Sequence, residues 1–188
     1  HAARDAIAGD ARPERKLREL AHRFMALYVG AADRHKVLLN DLDGLREIGH
    51  GHGEGLTGRE VEARFPDEYA AWEEDPFTYA PQGGESGVAV LARALPAVRD
   101  IVVSHAGARV LVVSHKATIR ILLSSLLGFD VRGYRDRLDQ APACLNVLDF
   151  RDPVRARLML FNDTSHYADE PRTATHNLSK WWDHKFTP

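Results

Sequence analysis

One cysteine, Cys144, stands in the whole chain, so no intramolecular disulfide can form, and the composition suits a reducing compartment. Long apolar runs are missing as well: none reaches the roughly 18 residues of a membrane-spanning helix, and the N-terminus lacks an apolar signal region. The expectation is a cytoplasmic protein with no membrane partner. Excess charge of one sign is also absent, since 25 Lys and Arg face 27 Asp and Glu, which leaves no whole-chain bias toward nucleic acid. There is no Walker loop, and no Gly-x-Gly-x-x-Gly follows a strand. Gly84-Glu-Ser-Gly-Val88 lacks the last glycine of a nucleophile elbow. Nucleotide-binding and serine-hydrolase chemistry therefore find no support, and no cofactor is implied.

What the sequence does contain is 188 residues that are 44% hydrophobic and 28% charged, the profile of one globular domain covering residues 1–188. From Glu14 to Tyr28, apolar residues trace one helical face up to Gly30, and Val37-Leu-Leu39 is a short strand candidate. Residues 40–58 are rich in Gly and His and predict irregular structure. Thr57-Gly-Arg-Glu60 is a capping box that opens a helix. Pro66 interrupts that helix, and another helical turn begins at Tyr69 to Trp72. Ser86 can cap the next helix, whose stripe runs through Val88, Leu91, Leu95, Val98, Ile101 and Val102 despite Pro96. Leu145 to Phe150 and Arg157 to Phe161 predict a hairpin around Arg151-Asp-Pro153. The tail after Tyr167 is polar except for Trp181-Trp182 and Phe186, which suggests docking on the body or on the partner subunit of a homodimer.

The centre of the pattern is Arg109 to Leu122. Val110 to Val113 reads as a strand buried on both faces. Ile119, Leu122, Leu123, Leu126 and Leu127 then recur at helical spacing until Gly128. A strand that turns through Ser114-His115 into a helix puts His115 beside free N–H groups and the positive end of a helix dipole, which is an anion site. The expected fold is an α/β three-layer sandwich with helices on both faces of a mostly parallel sheet.

Two residues carry the chemistry on this reading. Glu47 lies in a loop with glycine at every second position from Gly49 to Gly55. A carboxyl group beside an anion pocket can act as general acid or base. Phosphoryl transfer needs donors for the equatorial oxygens, a nucleophile, and a carboxyl group for the leaving-group proton; His115 and Glu47 supply the first and third. The cluster His50-x-His52-x-Glu54 also permits a metal reading, but no second ligand cluster supports it.

These residues resemble the histidine phosphatase superfamily, in its branch of cofactor-dependent phosphoglycerate mutases and broad-specificity phosphatases. Leu45-Arg-Glu-Ile with Gly51-x-x-Glu-Gly-Leu-Thr57 is similar to the loop carrying the proton-donating Glu. Tyr79 to Ser86 is similar to the glycine-glutamate-serine segment, Val110 to Arg120 to the strand with the second histidine, and Thr164-Ser-His166 to the closing motif. The resemblance implies a phosphoglycerate mutase-like fold and transfer through a phosphohistidine on an Arg-His-Gly motif, with a small phosphorylated metabolite as substrate. It makes Glu47 the acid/base and His115 the second pocket histidine. Phosphate and substrate contacts fall to His50, Ser114, Lys116 and Ala117, and to Arg15 or Lys16 in the place of the family's second arginine. Glu54 and His166 support the site.

Arg-His-Gly itself does not occur in the sequence. The register puts the chain start after the family's first strand and helix, so the expectation is a chain short of that segment. A different register makes His1 the nucleophile, with Ala2 in place of glycine. The competing functional expectation is a non-catalytic module that keeps the fold and binds a phosphate ligand or a protein without turnover.

Overall fold

The computed structural model describes residues 42–167. The helical face at 14–28, the strand candidate Val37-Leu-Leu39, His1, Arg15, Lys16 and the Trp181-Trp182 tail lie outside the described residues.

Helix boundaries follow the local chemistry closely. The helix α1 (Gly58–Arg64) opens on the capping box, with Glu60 N donating to Thr57 Oγ1 and the Glu60 carboxylate accepting from Thr57 N. Pro66 occupies the first position of α2 (Pro66–Glu74), where a missing N–H costs nothing. Ser86 Oγ accepts from Ala89 N at the start of α3 (Gly87–Ser104), which contains Pro96. The helix α4 (Lys116–Leu127) stops at Gly128, whose φ of 74° is the left-handed conformation that glycine adopts without penalty. A short α5 (Tyr134–Arg137) precedes the hairpin of β1 (Leu145–Phe150) and β2 (Ala156–Asp163).

β1 and β2 pair antiparallel from Leu145↔Asp163 to Phe150↔Ala156, with irregularities on either side of Val147. This is the only sheet among the described residues, so they do not contain the mostly parallel sheet that the sequence suggested. Val110 to Val113 is a correction: the segment is irregular and unpaired among the described residues, with Leu111 half-buried and the valines exposed, at 47% for Val110, 42% for Val112 and 66% for Val113. A run of β-branched residues states a preference for extended backbone, but the neighbours that would cover its faces are not encoded in the run.

The stripe on α3 is met in part: Leu91, Leu95, Val98 and Ile101 pack against the core, but they are not its most buried positions. Gly87, Val90 and Ala94 are its buried positions, whereas Val88 is exposed. Small residues define this face because other elements press against it; a Cβ on Gly87 would stand 2.7 Å from the Phe77 ring.

The core has two clusters: Ile48, Val90, Ile121 and Tyr134 in one, and Leu45, Ala94 and Leu122 in the other. Each holds one side of the Glu47 loop, since Leu45 and Ile48 flank Glu47 and anchor separately. Among the described residues no helix is long and apolar enough to cross a membrane.

Candidate active site

Glu47 is half-buried, and its carboxylate lies on the N-terminus of α4. Oε1 accepts from Thr118 N at 3.2 Å, from Thr118 Oγ1 at 3.3 Å and from Ile48 N at 3.0 Å; Oε2 accepts from Ala117 N at 3.3 Å. The first N–H groups of a helix lack intrahelical acceptors and carry the positive end of its dipole, so a carboxylate is stabilised there. His115 is the N-cap of the same helix and is exposed. The structure thus brings Glu47 and His115 to one helix end.

Other expected contacts are placed differently. Ala117 N–H, expected on phosphate, is engaged by Glu47. Ser114 Oγ donates to Leu45 O at 2.7 Å and so pins the Glu47 loop. Lys116 Nζ lies 3.4 Å from Asp139 Oδ1, an acceptor shared with the buried Arg120. Glu54 accepts from His50 N at 2.7 Å and so ties the loop to itself. His166 follows β2 with its ring edge-on to Tyr167.

The histidines of the loop do not converge. His50 sets its ring edge-on to Trp72, while His52 stacks on Phe65 at 3.8 Å and pairs with Glu68 at 3.2 Å. Among the described residues no group of three or more His, Cys, Asp or Glu is arranged to hold a metal ion. His50, His52, Glu54, Glu68, Tyr69 and Trp72 instead help to line a cavity of about 290 Å³ between the loop and α1 and α2. No Lys or Arg among the described residues lines it.

The alternating glycines have a local explanation. Gly51, at φ 56°, would place a Cβ 2.1 Å from Gln82 O, and a Cβ on Gly84 would stand 2.7 Å from Gly49 O. The two glycine loops therefore touch backbone to backbone, joined by His52 N to Gln82 O and by Glu85 N to Gly49 O.

Thr118, Glu85 and Arg93 were not among the expected site residues. Thr118 is fully buried and also donates its hydroxyl to Arg46 O at 2.7 Å. Glu85 accepts from Arg93, from Arg46 and from Gly49 N. The bonds from Arg93 are the main cause that holds its carboxylate at about 2, against partial burial, with Arg46 and Gly49 N adding to them. Glu85 does stand in the glycine-glutamate-serine segment, which was a usable signal. Arg93 had none, because its partners in the Glu47 loop are backbone atoms more than forty residues earlier.

A family model, histidine phosphatase superfamily (branch 1), matches residues 22–164. The chain belongs to this family. Phosphoserine phosphatase 1 of Hydrogenobacter thermophilus is 32% identical over 106 residues, 56% of this chain and 49% of that protein. Glucosyl-3-phosphoglycerate phosphatase of Mycobacterium tuberculosis is 39% identical over 98 residues, 48% of this chain and 44% of that protein. Among solved structures, Bacillus stearothermophilus YhfR aligns with a TM-score of 0.61 at 29% identity, covering 66% of this chain and 61% of that one. The native mycobacterial glucosyl-3-phosphoglycerate phosphatase aligns at 0.59 and 32% identity, covering 68% and 66%. The fold is thus the α/β, phosphoglycerate mutase-like fold of these phosphatases. The chain spans about half the length of the curated relatives it matches.

Proposed function

We propose that the protein containing this chain is a phosphatase that hydrolyses a small phosphorylated metabolite through a phosphohistidine. The observation that carries the reading is the carboxylate of Glu47 fixed on the N-terminus of α4 next to His115. In the first step an imidazole nitrogen attacks phosphorus and the P–O bond to the organic group breaks. Its electron pair goes to the leaving oxygen, which takes a proton from the Glu47 carboxyl group. In the second step Glu47 removes a proton from water as the water oxygen attacks phosphorus; the P–N bond breaks and phosphate leaves. Within the carboxyl group, Oε1 accepts from the N–H groups of Ile48 and Thr118 and lies 3.3 Å from the hydroxyl that Thr118 turns to Arg46 O, while Oε2 accepts from Ala117 N alone. Oε2 is the oxygen with capacity to carry the transferred proton.

His115, at the helix N-cap, is the donor to the equatorial oxygens, where charge gathers in the transition state. The organic part of the ester extends toward His50 and the cavity below it. Hydrolysis is favoured over transfer to a second substrate by the short segment between Gly58 and Gly83, which leaves little room for a lid. A cytoplasmic setting fits the lone Cys144.

The test is phosphate release by the full-length gene product, with Glu47→Gln and His115→Ala alongside. Both variants are expected to lose about 100-fold or more in kcat. Unaltered turnover in both would rule out the assigned roles. The absence of Arg-His-Gly from these residues motivates the second reading, a non-catalytic binder, and saturable phosphate binding without turnover by the full-length product would select it.

A further inference from the structure

Residues 44–47 belong to no strand and no α-helix, so their carbonyl groups have no ladder to satisfy them. Side chains do so instead. Gly44 O accepts from Arg93 Nη1 at 2.9 Å and Leu45 O from Ser114 Oγ at 2.7 Å. Arg46 O accepts from Arg93 Nη1 at 2.9 Å and from Thr118 Oγ1 at 2.7 Å, and Glu47 O from Arg93 Nη2 at 3.0 Å. Three of four consecutive carbonyls leading into Glu47 are thus held by one guanidinium.

That guanidinium is itself fixed. Arg93 Nε donates to Glu85 Oε1 at 2.9 Å and Nη2 to Oε2 at 3.0 Å, a two-pronged pair in which the Arg93 side chain is only 15% exposed. Glu85 Oε2 also accepts from Gly49 N at 3.0 Å, so it grips the loop on the other side of Glu47. Held at about 2 by these partners, the Glu85 carboxylate stays charged at any working pH. The planar fork of arginine suits this double duty; an ammonium group offers neither the geometry nor the reach.

The geometry points to Arg93 and Glu85 as positioning residues for the general acid, setting the backbone from which Glu47 reaches the leaving oxygen. This rests on the role proposed for Glu47. Neither residue bonds to the Glu47 carboxylate, so their effect passes through the main chain of residues 44 to 49. A displacement of about 1 Å at a catalytic group can cost on the order of 100-fold in rate.

Leaving-group dependence separates positioning of an acid from general damage. A nitrophenolate departs without a proton, whereas the alkoxide of an alkyl phosphate needs one. The full-length gene product is compared with Glu85→Gln, Arg93→Lys and Glu47→Gln on p-nitrophenyl phosphate and on glycerol phosphate, with thermal unfolding recorded for each. The expected result is a fall of about 10- to 100-fold in kcat on glycerol phosphate for Glu85→Gln and Arg93→Lys, with KM within about twofold, and less than about threefold on p-nitrophenyl phosphate. Glu47→Gln should show the same selectivity, more strongly. An equal loss on both esters in the Glu85 and Arg93 variants, while Glu47→Gln remains selective, overturns the positioning role alone. If Glu47→Gln also fails to discriminate, the acid role falls and the positioning role with it. Should one variant not fold, the other decides.

Discussion

The backbone N–H of Ala117 donates to the Glu47 carboxylate across 3.3 Å, joining residues seventy positions apart at the start of α4. Beside it, Thr118 contributes both its N–H and its hydroxyl. The N-terminus that the sequence marked as an anion site therefore holds a carboxylate of the chain itself, and the proposed reaction receives phosphate next to it rather than in its place.

Thr118→Val tests that arrangement, since it keeps the shape of a fully buried side chain and removes the oxygen. The hydroxyl bonds to Arg46 O at 2.7 Å and approaches Glu47 Oε1 at 3.3 Å. Loss of a buried hydrogen bond of this kind costs about 1–2 kcal/mol. Urea unfolding should show that decrease, and kcat on glycerol phosphate should fall while the Thr118 N–H keeps part of the hold. A variant equal to the parent in both would remove Thr118 from the site.

Two glycine substitutions separate close approach from conformation. Gly55 has φ 78° with nothing within 4 Å of an added Cβ, while Gly51 has φ 56° with Gln82 O at 2.1 Å. Gly55→Ala should cost about 1–2 kcal/mol, the penalty of a left-handed alanine. Gly51→Ala adds a backbone clash that only separation of the two loops relieves, so it should be less stable than Gly55→Ala by at least about 1 kcal/mol and impair turnover. Equal melting curves for the two would show that the loops do not need their contact.

Much of this was written locally. The capping box at Thr57 and Glu60, Ser86 before α3, Gly128 after α4 and the hairpin around Asp152 all act within a few residues, so spacing reveals them. Glu47 and His115 were legible because each stands in an unusual local setting. Arg93 was not, because nothing near it in sequence shows that its guanidinium meets Gly44, Arg46 and Glu47. The coverage of Val110 to Val113 was illegible for a related reason: burial belongs to the neighbours. On α3, the seam of Gly87, Val90 and Ala94 was hidden by counting large apolar residues where small ones let helix and loop approach.

The cavity under His50 makes a prediction about selectivity. Its rings are Tyr69, Trp72 and the two imidazoles; of its carboxylates, Glu54 accepts from His50 N, and Glu68 accepts from Gln82 N and lies 3.2 Å from His52 Nε2. Trp72→Leu should raise KM about tenfold for esters of ring-bearing alcohols and leave KM for glycerol phosphate within about twofold. Equal shifts for both ester classes would place the organic group elsewhere.

Stability against acid follows from Glu85. Its folded value of about 2 lies below the ordinary 4.5, so its contribution is fully present above about pH 4.5 and is lost as pH falls toward 2. With its side chain 17% exposed, solvent screening is modest, and the shift corresponds to something on the order of 3 kcal/mol. Other carboxylates are also held below their ordinary value, such as Asp75 and Asp152, so the informative quantity is the difference between the parent and Glu85→Gln. Above pH 5 the variant leaves the guanidiniums of Arg46 and Arg93 without their counter-charge and should be the less stable by about that amount. Between pH 4.5 and 2 the parent protonates Glu85 and loses the same pairing, while the neutral amide of the variant has no proton to gain, so the gap should close. Urea unfolding of both proteins at pH 6, 4, 3 and 2 reads it directly. A gap that stays constant over this range would mean that Glu85 acts through shape and hydrogen bonding alone, without its charge.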